Sequence, residues 1–373
     1  MRRPRASPPG DPLGNPSGDP AGADFYRTDI DGYSSFNDPS LYNYSGISFA
    51  SSTTNAGVSR FMAGLGLPCF LEFGQYWYTE TSPLTGAFLN MRYVISPNGA
   101  TGDNSVYWET AGKAGDVELL ENKRYLPLGF MVNEDITGYV HTGDPFLSQN
   151  DLFRRATGLD EDLFEITDIS ALGRKDKRGR TGWGFKTLSD EMIYAYCAVD
   201  RTDTMEVFYG DSIRLIPMFG NVSLGTVPYI FTVGSFSGGD SFFLSLRSGS
   251  ASLCLGTLDS GLFERGHALL ADEALQLTKF TDTEVSGQVT ALKDGVLYTS
   301  IPGDKNWNVF VDGVKSEIVL IDNAMAAVRL KAGTHTVEFR YFNKSLAAGI
   351  IVSLVSLAIF AGLILAQNRR LLP

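Results

Sequence analysis

The pattern of apolar residues along this chain changes at its C-terminal end. Residues 346–366 form a run of twenty-one residues without a single charge, and Leu, Ile and Val dominate it. At about 1.5 Å rise per residue, a helix of this length spans roughly 30 Å, which is the thickness of a bilayer core. The run therefore predicts one transmembrane helix over 346–366. The alternative is a buried core helix, although such a helix is seldom this long without a charge.

Residues 191–342 carry the pattern of short β-strands. Apolar and polar positions alternate, aromatic and β-branched residues are frequent, and turn residues separate the runs. Many short strands at regular spacing predict a jelly-roll-like β-sandwich over 191–342. Because the last strand runs almost directly into the apolar run, we expect the sandwich at the membrane surface. The dipeptides that suit the positive-φ positions of tight hairpins are Asp294-Gly295, Asp312-Gly313 and Asp322-Asn323.

Residues 24–165 mix helical and strand patterns. Apolar residues at helical spacing over 56–66 follow Thr54 and Asn55, either of which suits the N-cap, and a second helical segment over 149–158 ends at a glycine. A strand over 91–96 leads into a Pro-Asn-Gly turn. These features predict a mixed α/β domain. The fold class expected for the whole chain is α+β: this domain, the β-sandwich and the C-terminal transmembrane helix.

Two further segments show neither pattern. Residues 1–23 are rich in Pro and Gly and lack the apolar core of a signal peptide, so we interpret them as disordered. Residues 166–190 are basic and glycine-rich, and we interpret them as an exposed linker between the two domains. A phosphate or lipid-headgroup contact is the alternative for the linker. Its basic residues are Arg174, Lys175, Lys177, Arg178 and Arg180.

Composition and charge exclude several classes of function. The formal net charge is −11, which argues against nucleic acid as a partner. Three cysteines and three histidines are widely spaced, and they form no metal-binding pattern and no disulfide framework. We therefore expect buried free thiols, no metal site and no cofactor.

The charges that flank the apolar run bear on the orientation of the chain. Arg369 and Arg370 follow the run, which favours a cytoplasmic C-terminus and a globular part outside. Arg340 and Lys344 precede it and weaken this signal. A complete chain with one C-terminal span would instead leave the globular part in the cytoplasm. We expect a membrane location with the globular part extracytoplasmic.

A set of ordered motifs resembles the C-terminal portion of the bacterial YfhO-type membrane proteins. The resemblance covers residues 24–366, and it leaves an unrelated first segment of about 22 residues. No single motif is specific, whereas the ordered set is. The motifs are Phe25-Tyr26-Arg27, Leu41 to Ile47, Ser51-Ser52-Thr53, Leu126 to Val132, Gln149-Asn150, Ile301-Pro302 to Trp307, Val311-Asp312-Gly313, Ala332 to His335 and Phe339-Arg340-Tyr341.

The resemblance implies a function. Such proteins look like polytopic glycosyltransferases of the GT-C type, which use lipid-linked sugars to decorate cell-envelope polymers such as teichoic acids. In GT-C enzymes the catalytic acidic residue lies in an early loop among N-terminal membrane helices, which this sequence lacks. No catalytic residue is therefore carried over, and we expect the isolated chain to be inactive as a transferase.

Aromatic residues in the first domain are the candidates for glycan binding, since aromatic faces stack on sugar rings. Tyr76, Trp77 and Tyr78 lie close in sequence to two acidic residues, and burial of these rings in the core is the alternative. Of two acidic clusters, we interpret 29–31 as a polar loop and 160–162 as a solvated turn or helix start, instead of metal sites. The full set of glycan-binding candidates is Tyr76, Trp77, Tyr78, Glu72, Glu80, Tyr42 and Tyr44.

Two hypotheses of different classes follow from these observations. The first is a non-catalytic, extracytoplasmic portion of an envelope glycosyltransferase, which binds a glycan near the membrane. Its partners would be the lipid bilayer, an envelope glycan or polyprenyl-phosphate sugar, and the missing N-terminal membrane helices. The second is a non-enzymatic, membrane-tethered β-sandwich that serves as a binding or structural module.

Overall fold

The computed structural model describes residues 25–31, 35–79, 81–97, 106–175, 181–199, 201–221, 227–247 and 251–370. Residues 1–23, which the sequence predicts to be disordered, lie outside these residues. Within them the chain forms six β-sheets and six α-helices, and the last helix is the apolar C-terminal run. The α+β fold class is therefore confirmed.

The first half of the chain alternates short strands with short helices. Its helices are α1 (Asp38–Tyr42), α2 (Ala56–Gly64), α3 (Pro83–Phe88) and α4 (Pro145–Thr157). Its strands are β1 (Arg27–Ile30), β2 (Phe49–Ala50), β3 (Cys69–Phe70), β4 (Gln75–Tyr76), β5 (Met91–Ser96), β6 (Trp108–Ala114), β7 (Val117–Asn122), β8 (Gly129–Val132), β9 (Phe164–Asp168) and β10 (Arg174–Lys175).

The second half is almost entirely β-structure. One helix, α5 (Ser260–Asp272), interrupts it, and α6 (Lys344–Arg370) ends it. Its strands are β11 (Thr181–Lys186), β12 (Glu191–Val199), β13 (Arg201–Tyr209), β14 (Ser212–Asn221), β15 (Ile230–Phe236), β16 (Ser241–Leu246), β17 (Ala251–Leu258), β18 (Gln276–Thr281), β19 (Glu284–Ala291), β20 (Gly295–Pro302), β21 (Trp307–Val311), β22 (Val314–Ser316), β23 (Val319–Ile321), β24 (Met325–Leu330) and β25 (Gly333–Tyr341).

Capping residues fix the ends of the helices. The side chain of Asn55 accepts a hydrogen bond from the backbone N–H of Gly57 and caps α2, as predicted. Asp144 caps α4 in the same way, with Pro145 at the first helical position. Gly158 ends α4 in the left-handed conformation, with φ of 76°. The structure thus confirms both helical segments, although α4 begins four residues before the predicted start.

Tight hairpins form where the sequence predicts most of them. Asp312 and Gly313 join β21 to β22 with φ of 52° and 79°, and Asp322 and Asn323 join β23 to β24 with φ of 53° each. These are the positive φ angles that short hairpin turns require. Asp294 takes no positive φ. Its carboxylate instead accepts a hydrogen bond from the backbone N–H of Ala332, which ties together two neighbouring turns.

Strands β9 to β17 form a first sandwich of two sheets. One sheet has the strand order β10-β11-β16-β13-β14 and the other has the order β15-β12-β17-β9. Trp183 and Leu244 of the first sheet share a core with Ala195 and Leu253 of the second, and each is at most 1% exposed. Large apolar side chains between two sheets supply most of the stabilisation in such a fold, at about 25 cal/mol per Å² of apolar surface buried.

A second sandwich contains the C-terminal strands. It pairs the sheet β18-β19-β25-β21-β22 with the sheet β23-β24-β20-β8. Val337 and Phe339 of the first sheet share a core with Leu297 and Val328 of the second. The sequence predicts one sandwich over 191–342, whereas the structure has two. The sandwich character is confirmed, and the single predicted unit is resolved into two layered pairs.

Helices α2 to α5 pack in a core that the two sandwiches share. The four-stranded sheet of each sandwich contributes to this core, through Tyr194 of β12 in the first and Tyr298 of β20 in the second. Phe146 of α4 packs on Phe164 of β9 at a centroid distance of 5.0 Å, and Phe88 of α3 packs on Tyr298 at 5.2 Å. The central sheets are therefore covered on both faces, which explains their long uninterrupted apolar runs.

Strand pairing crosses the predicted domain boundaries. Strand β8 lies within the predicted first domain, yet it pairs with β20 of the second sandwich. Strand β9 pairs with β17, and the predicted linker contains β11, which lies between β10 and β16 in one sheet. A local pattern indicates a strand but not its partner. The sequence therefore did not show that these strands pair across the predicted domain boundaries.

The C-terminal helix follows the last strand after two residues. Strand β25 ends at Tyr341, and the side chain of Asn343 caps α6 by accepting a hydrogen bond from the backbone N–H of Leu346. Residues Lys344–Gln367 have a mean hydropathy of 2.6, and their most apolar stretch is not buried against the rest of the chain. Among the described residues this is the one helix long and apolar enough to cross a membrane. The helix therefore does not pack in the core of the described chain, as the buried-core alternative requires.

Candidate functional site

The structure buries the three central glycan-binding candidates. Tyr76, Trp77 and Tyr78 are 7%, 0% and 4% exposed. The indole of Trp77 is surrounded by other rings, including Phe36 at a centroid distance of 4.8 Å and Phe219 at 5.1 Å. A ring enclosed in this way presents no face to a sugar, so the burial that the sequence left as the alternative is what the structure shows.

The remaining candidates do not complete a platform with these rings. Tyr42, at the end of α1, is 56% exposed and Tyr44 is half-buried. Glu72 is exposed in a short 3-10 helix. Glu80 lies outside the described residues. The structure thus divides the set between the interior and the surface, and no single exposed surface contains all of it.

Asp29 of the first acidic cluster is a buried structural anchor. It is 1% exposed, and its carboxylate accepts hydrogen bonds from the backbone N–H groups of Ile47 and Ser48 and from the Ser48 hydroxyl, at 2.7–2.9 Å. Burial raises the pKa of Asp29, and these hydrogen bonds oppose that shift. The Ser48 hydroxyl also accepts from the backbone N–H of Tyr78. The sequence placed Asp29 in a polar loop, but it lies on β1 and holds a loop against the core.

Arg27 is a second anchor on the same strand. Its guanidinium donates to the backbone oxygen of Leu89 and to both the hydroxyl and the backbone oxygen of Ser300, at 2.6–2.9 Å. Burial lowers the pKa of Arg27 to about 10, so the side chain is still protonated at neutral pH. The arginine therefore joins β1 to β20 of the second sandwich. We interpret both charged groups as structural.

The second acidic cluster is a solvated surface. Glu161 lies 3.4 Å from Arg265 and Asp162 lies 3.1 Å from Arg154, and all four side chains are more than 40% exposed. Exposed pairs of this kind contribute about 0–1 kcal/mol. In the described part of the chain, no group of three or more His, Cys, Asp or Glu residues has the arrangement of a metal site.

The three histidines lie apart and take different structural roles. His267 packs near Phe263, and burial lowers its pKa. His141 lies 2.6 Å from the carboxylate of Asp322, which belongs to the β23–β24 turn. His335 lies between two acceptors: Nδ1 is 2.8 Å from Asp312 and Nε2 is 3.0 Å from the backbone oxygen of Lys331. The cationic form alone donates from both nitrogens, so the site favours protonated His335.

The His335 site predicts a pH-dependent contribution to stability. Asp312 raises the pKa of His335, and His335 lowers the pKa of Asp312. A raised histidine pKa stabilises the fold below the unfolded value of about 6.5, and this stabilisation is lost as the pH rises through the folded value. We expect His335→Gln to lower the thermal midpoint more at pH 6 than at pH 8.5. Equal losses at both pH values in thermal unfolding would contradict the assignment.

An exposed aromatic face lies on the outer side of the first sandwich. Gly184 of β11 is paired with Phe243 of β16, which is paired with Phe208 of β13. Since residues directly opposite in a sheet share a face, these three positions lie in one row. Phe243 is 43% exposed and Phe208 is half-buried. We call the surface formed by Gly182, Gly184, Lys186, Phe208 and Phe243 the aromatic face.

Two glycines let the Phe243 ring lie flat on the sheet. A Cβ atom on Gly182 would lie 2.3 Å from Cζ of Phe243, and one on Gly184 would lie 3.6 Å from its Cδ2. The ring therefore covers both glycines on one side and presents its other side outward. Sequence reasoning missed this surface, although two signals were present: glycines at alternate positions of β11 and two consecutive phenylalanines in β16, one of which must point outward.

Comparison with known proteins gives one strong match. The family described as bacterial membrane protein YfhO matches residues 17–204 and 229–353, which is most of the chain. The match begins seven residues before the predicted start of similarity at residue 24. No curated protein matches the chain.

Similarity to solved structures is weak. Arabinofuranosyltransferase AftD from Mycobacteria is 7% identical with a TM-score of 0.21, over 63% of this chain and 27% of that one. Vicilin from hazelnut, Corylus avellana, is 8% identical with a TM-score of 0.13, over 64% of this chain and 81% of that one. The chain thus spans about a quarter of the arabinofuranosyltransferase. At these TM-scores neither similarity supports a conclusion about function.

Proposed function

This chain belongs to the bacterial membrane protein YfhO family, and from that premise we propose that it forms an extracytoplasmic, glycan-recognising portion of an envelope glycosyltransferase. In this proposal the two sandwiches bind an acceptor glycan near the membrane surface. The transfer chemistry belongs to a membrane portion that this chain does not contain. The resemblance of the family to enzymes that use lipid-linked sugars supports the donor class, a polyprenyl-phosphate sugar.

The direct continuity of β25 with α6 is the observation that carries the proposal. Only Phe342 and Asn343 separate the last strand of the second sandwich from the membrane helix. Asn343 caps the helix, so the connection is ordered and short. A two-residue connection spans at most about 7 Å, which keeps the second sandwich against the bilayer surface. A protein that acts on a membrane-anchored glycan needs its binding surfaces close to the bilayer surface.

A membrane-tethered module without an enzymatic partner is the second candidate. It accounts equally for the β-rich architecture and the single helix. The DNA immediately upstream of the codon for Met1 separates the two. An in-frame reading that continues through many hydrophobic spans supports the glycosyltransferase portion, whereas a stop codon followed by a ribosome-binding site supports the tethered module.

Cysteine labelling tests the orientation of the globular part. The native thiols of Cys69, Cys197 and Cys254 are free and buried, and burial raises the pKa of each, so their background reactivity is low. Leu188 is 92% exposed. We expect Leu188→Cys, introduced into the gene of the producing bacterium, to react with a membrane-impermeant maleimide in intact cells.

A cysteine at the opposite end of the span supplies the matched control. Pro373→Cys follows the membrane helix, and we expect it to react only after the cells are lysed. The unsubstituted protein measures the background from the three native thiols. If Leu188→Cys also requires lysis, the globular part faces the cytoplasm and the proposed function is overturned.

A further inference from the structure

The aromatic face combines the features of a stacking surface for a sugar. The outer side of the Phe243 ring is open to solvent, and its inner side rests on the backbone of Gly182 and Gly184. Phe208 lies beside it at a centroid distance of 5.9 Å and limits its movement. A ring held flat loses little conformational freedom when a flat ligand packs on it, which favours binding.

The surroundings of the ring form an open concavity with a polar flank. The concavity is shallow and open to solvent, with a volume of about 500 Å³, and Lys186, Gly210 and Ser241 belong to its lining. Lys186 is exposed, and it forms no ion pair with any residue that the structure describes. Asp240, the nearest acid in sequence to Ser241, is already bonded by the Tyr209 hydroxyl and the backbone N–H of Ser237.

We propose that the aromatic face binds an anionic glycan, with one sugar ring stacked on Phe243 and an acidic group of the glycan at Lys186. Local charge complementarity supports this ligand, because the exposed Lys186 places a positive charge beside the ring and no described acidic side chain pairs with it. The inference rests on the proposed function for the cellular origin of the glycan. The site itself rests on the geometry of the sheet.

A protein partner fits this surface less well. A stable protein–protein interface involves about 20–30 residues on each side. Here the large apolar side chains exposed on the sheet are few, and Ile213 and Leu215 on β14 are the others on this side. The lateral neighbours include the ion pair between Glu206 of β13 and Arg247, which follows β16. The few exposed apolar side chains therefore suit a few sugar rings better than a stable protein–protein interface.

The binding experiment uses the full chain in lipid nanodiscs, because maltoside detergents carry a competing sugar. The probes are cellotetraose and the same tetramer oxidised at C6 to its glucuronate form. Saturation-transfer NMR measures contact of the sugar protons, and titration measures affinity. We expect the oxidised tetramer to bind more tightly, Phe243→Ala to weaken binding about tenfold or more, and Lys186→Gln to abolish the preference for the oxidised form.

A matched pair of glycine variants tests the stacking geometry. Gly182→Ala places a methyl group where the ring lies, so Phe243 must swing away from the sheet, and we expect binding to fall as in Phe243→Ala. Gly112→Ala of β6, in another sheet, places its methyl group in open space, and we expect binding to be retained. Phe73→Ala removes another exposed phenylalanine, 50% exposed and far from this sheet in sequence, and should leave binding unchanged. Thermal unfolding of each variant verifies that it folds.

The outcomes separate the site from the proposed function. Absence of binding of both tetramers at millimolar concentration, or equal binding by the unsubstituted protein and Phe243→Ala, overturns the site. Concentration-dependent dimerisation that Phe243→Ala abolishes assigns the face to a second copy of the chain and also overturns it. If the protein binds the sugars but Leu188→Cys reacts only after lysis, the sugar site is retained and only the proposed orientation is overturned.

Discussion

Replacing Asp29 with alanine is expected to lower the free energy of unfolding by about 3–5 kcal/mol. The substitution leaves the buried backbone N–H groups of Ile47 and Ser48 and the Ser48 hydroxyl without their acceptor. A buried donor without a partner costs about 1–3 kcal/mol, and bulk solvent does not reach a position that is 1% exposed. The loss of the carboxylate should also weaken the hydrogen bond that the backbone N–H of Tyr78 donates to the Ser48 hydroxyl.

Urea denaturation of the chain in nanodiscs, followed by tryptophan fluorescence, measures this loss. Asp116→Ala is the matched control: it removes the same carboxylate from an exposed turn between β6 and β7, and we expect a change within about 0.5 kcal/mol. Asp29→Asn keeps the shape of the side chain but replaces one acceptor oxygen with a donor. Its loss of unfolding free energy should therefore lie between the losses for Asp29→Ala and Asp116→Ala. A loss below about 1 kcal/mol for Asp29→Ala would show that the loop at 47–48 is held by other contacts.

Asp29 also illustrates what the sequence could not show. Read locally, Asp29-Ile30-Asp31 is a polar segment without a strand pattern. Its partners Ile47 and Ser48 lie 18 and 19 residues further along, in a segment without regular structure. A buried carboxylate is recognised by its donors, and these donors belong to a separate segment that lies beside β1, where the backbone N–H of Thr28 donates to the backbone oxygen of Ser45. Nothing in a window of ten residues predicts that arrangement.

Features that depend on near neighbours were predicted well. The Asn55 cap of α2, the Gly158 end of α4 and the positive φ of Asp312 each involve contacts within four residues. The membrane helix depends on composition alone. By contrast, the division into two sandwiches depends on pairings such as β8 with β20, which join residues more than 160 positions apart.

The aromatic residues show the same limit at the level of the site. Trp77 and Phe243 both lie in runs of consecutive aromatic residues, and nothing local distinguishes them. Trp77 is enclosed because other aromatic side chains, including Phe219 of β14, pack over its ring, whereas Phe243 is left open because β11 presents glycines beside it. Exposure is thus set by the neighbouring strand and not by the residue itself. The glycines of a neighbouring strand are the signal to look for.

Placing two arginines at the centre of the C-terminal helix is expected to remove this chain from the membrane. The run 346–366 contains twelve large apolar residues, which together favour insertion by roughly 4–7 kcal/mol. Each arginine at the helix centre costs about 2.5–3.5 kcal/mol, and each replaced leucine removes a favourable contribution as well. The variant Leu354→Arg/Leu357→Arg therefore cancels the whole driving force. With the chain expressed alone, we expect the unsubstituted protein in the pellet after alkaline carbonate extraction and the variant in the supernatant.

The position of the charges, and not their number, should decide the result. The matched control Leu346→Arg/Ala347→Arg adds the same two charges near Lys344, where long side chains reach the interface and the cost falls. We expect this control to stay in the pellet. If the central variant also stays there, insertion of α6 is not what holds the chain at the membrane, and contacts of the two sandwiches with lipid or with other membrane proteins must hold it. Since α6 begins two residues after β25, loss of its insertion should also release the second sandwich from the bilayer surface.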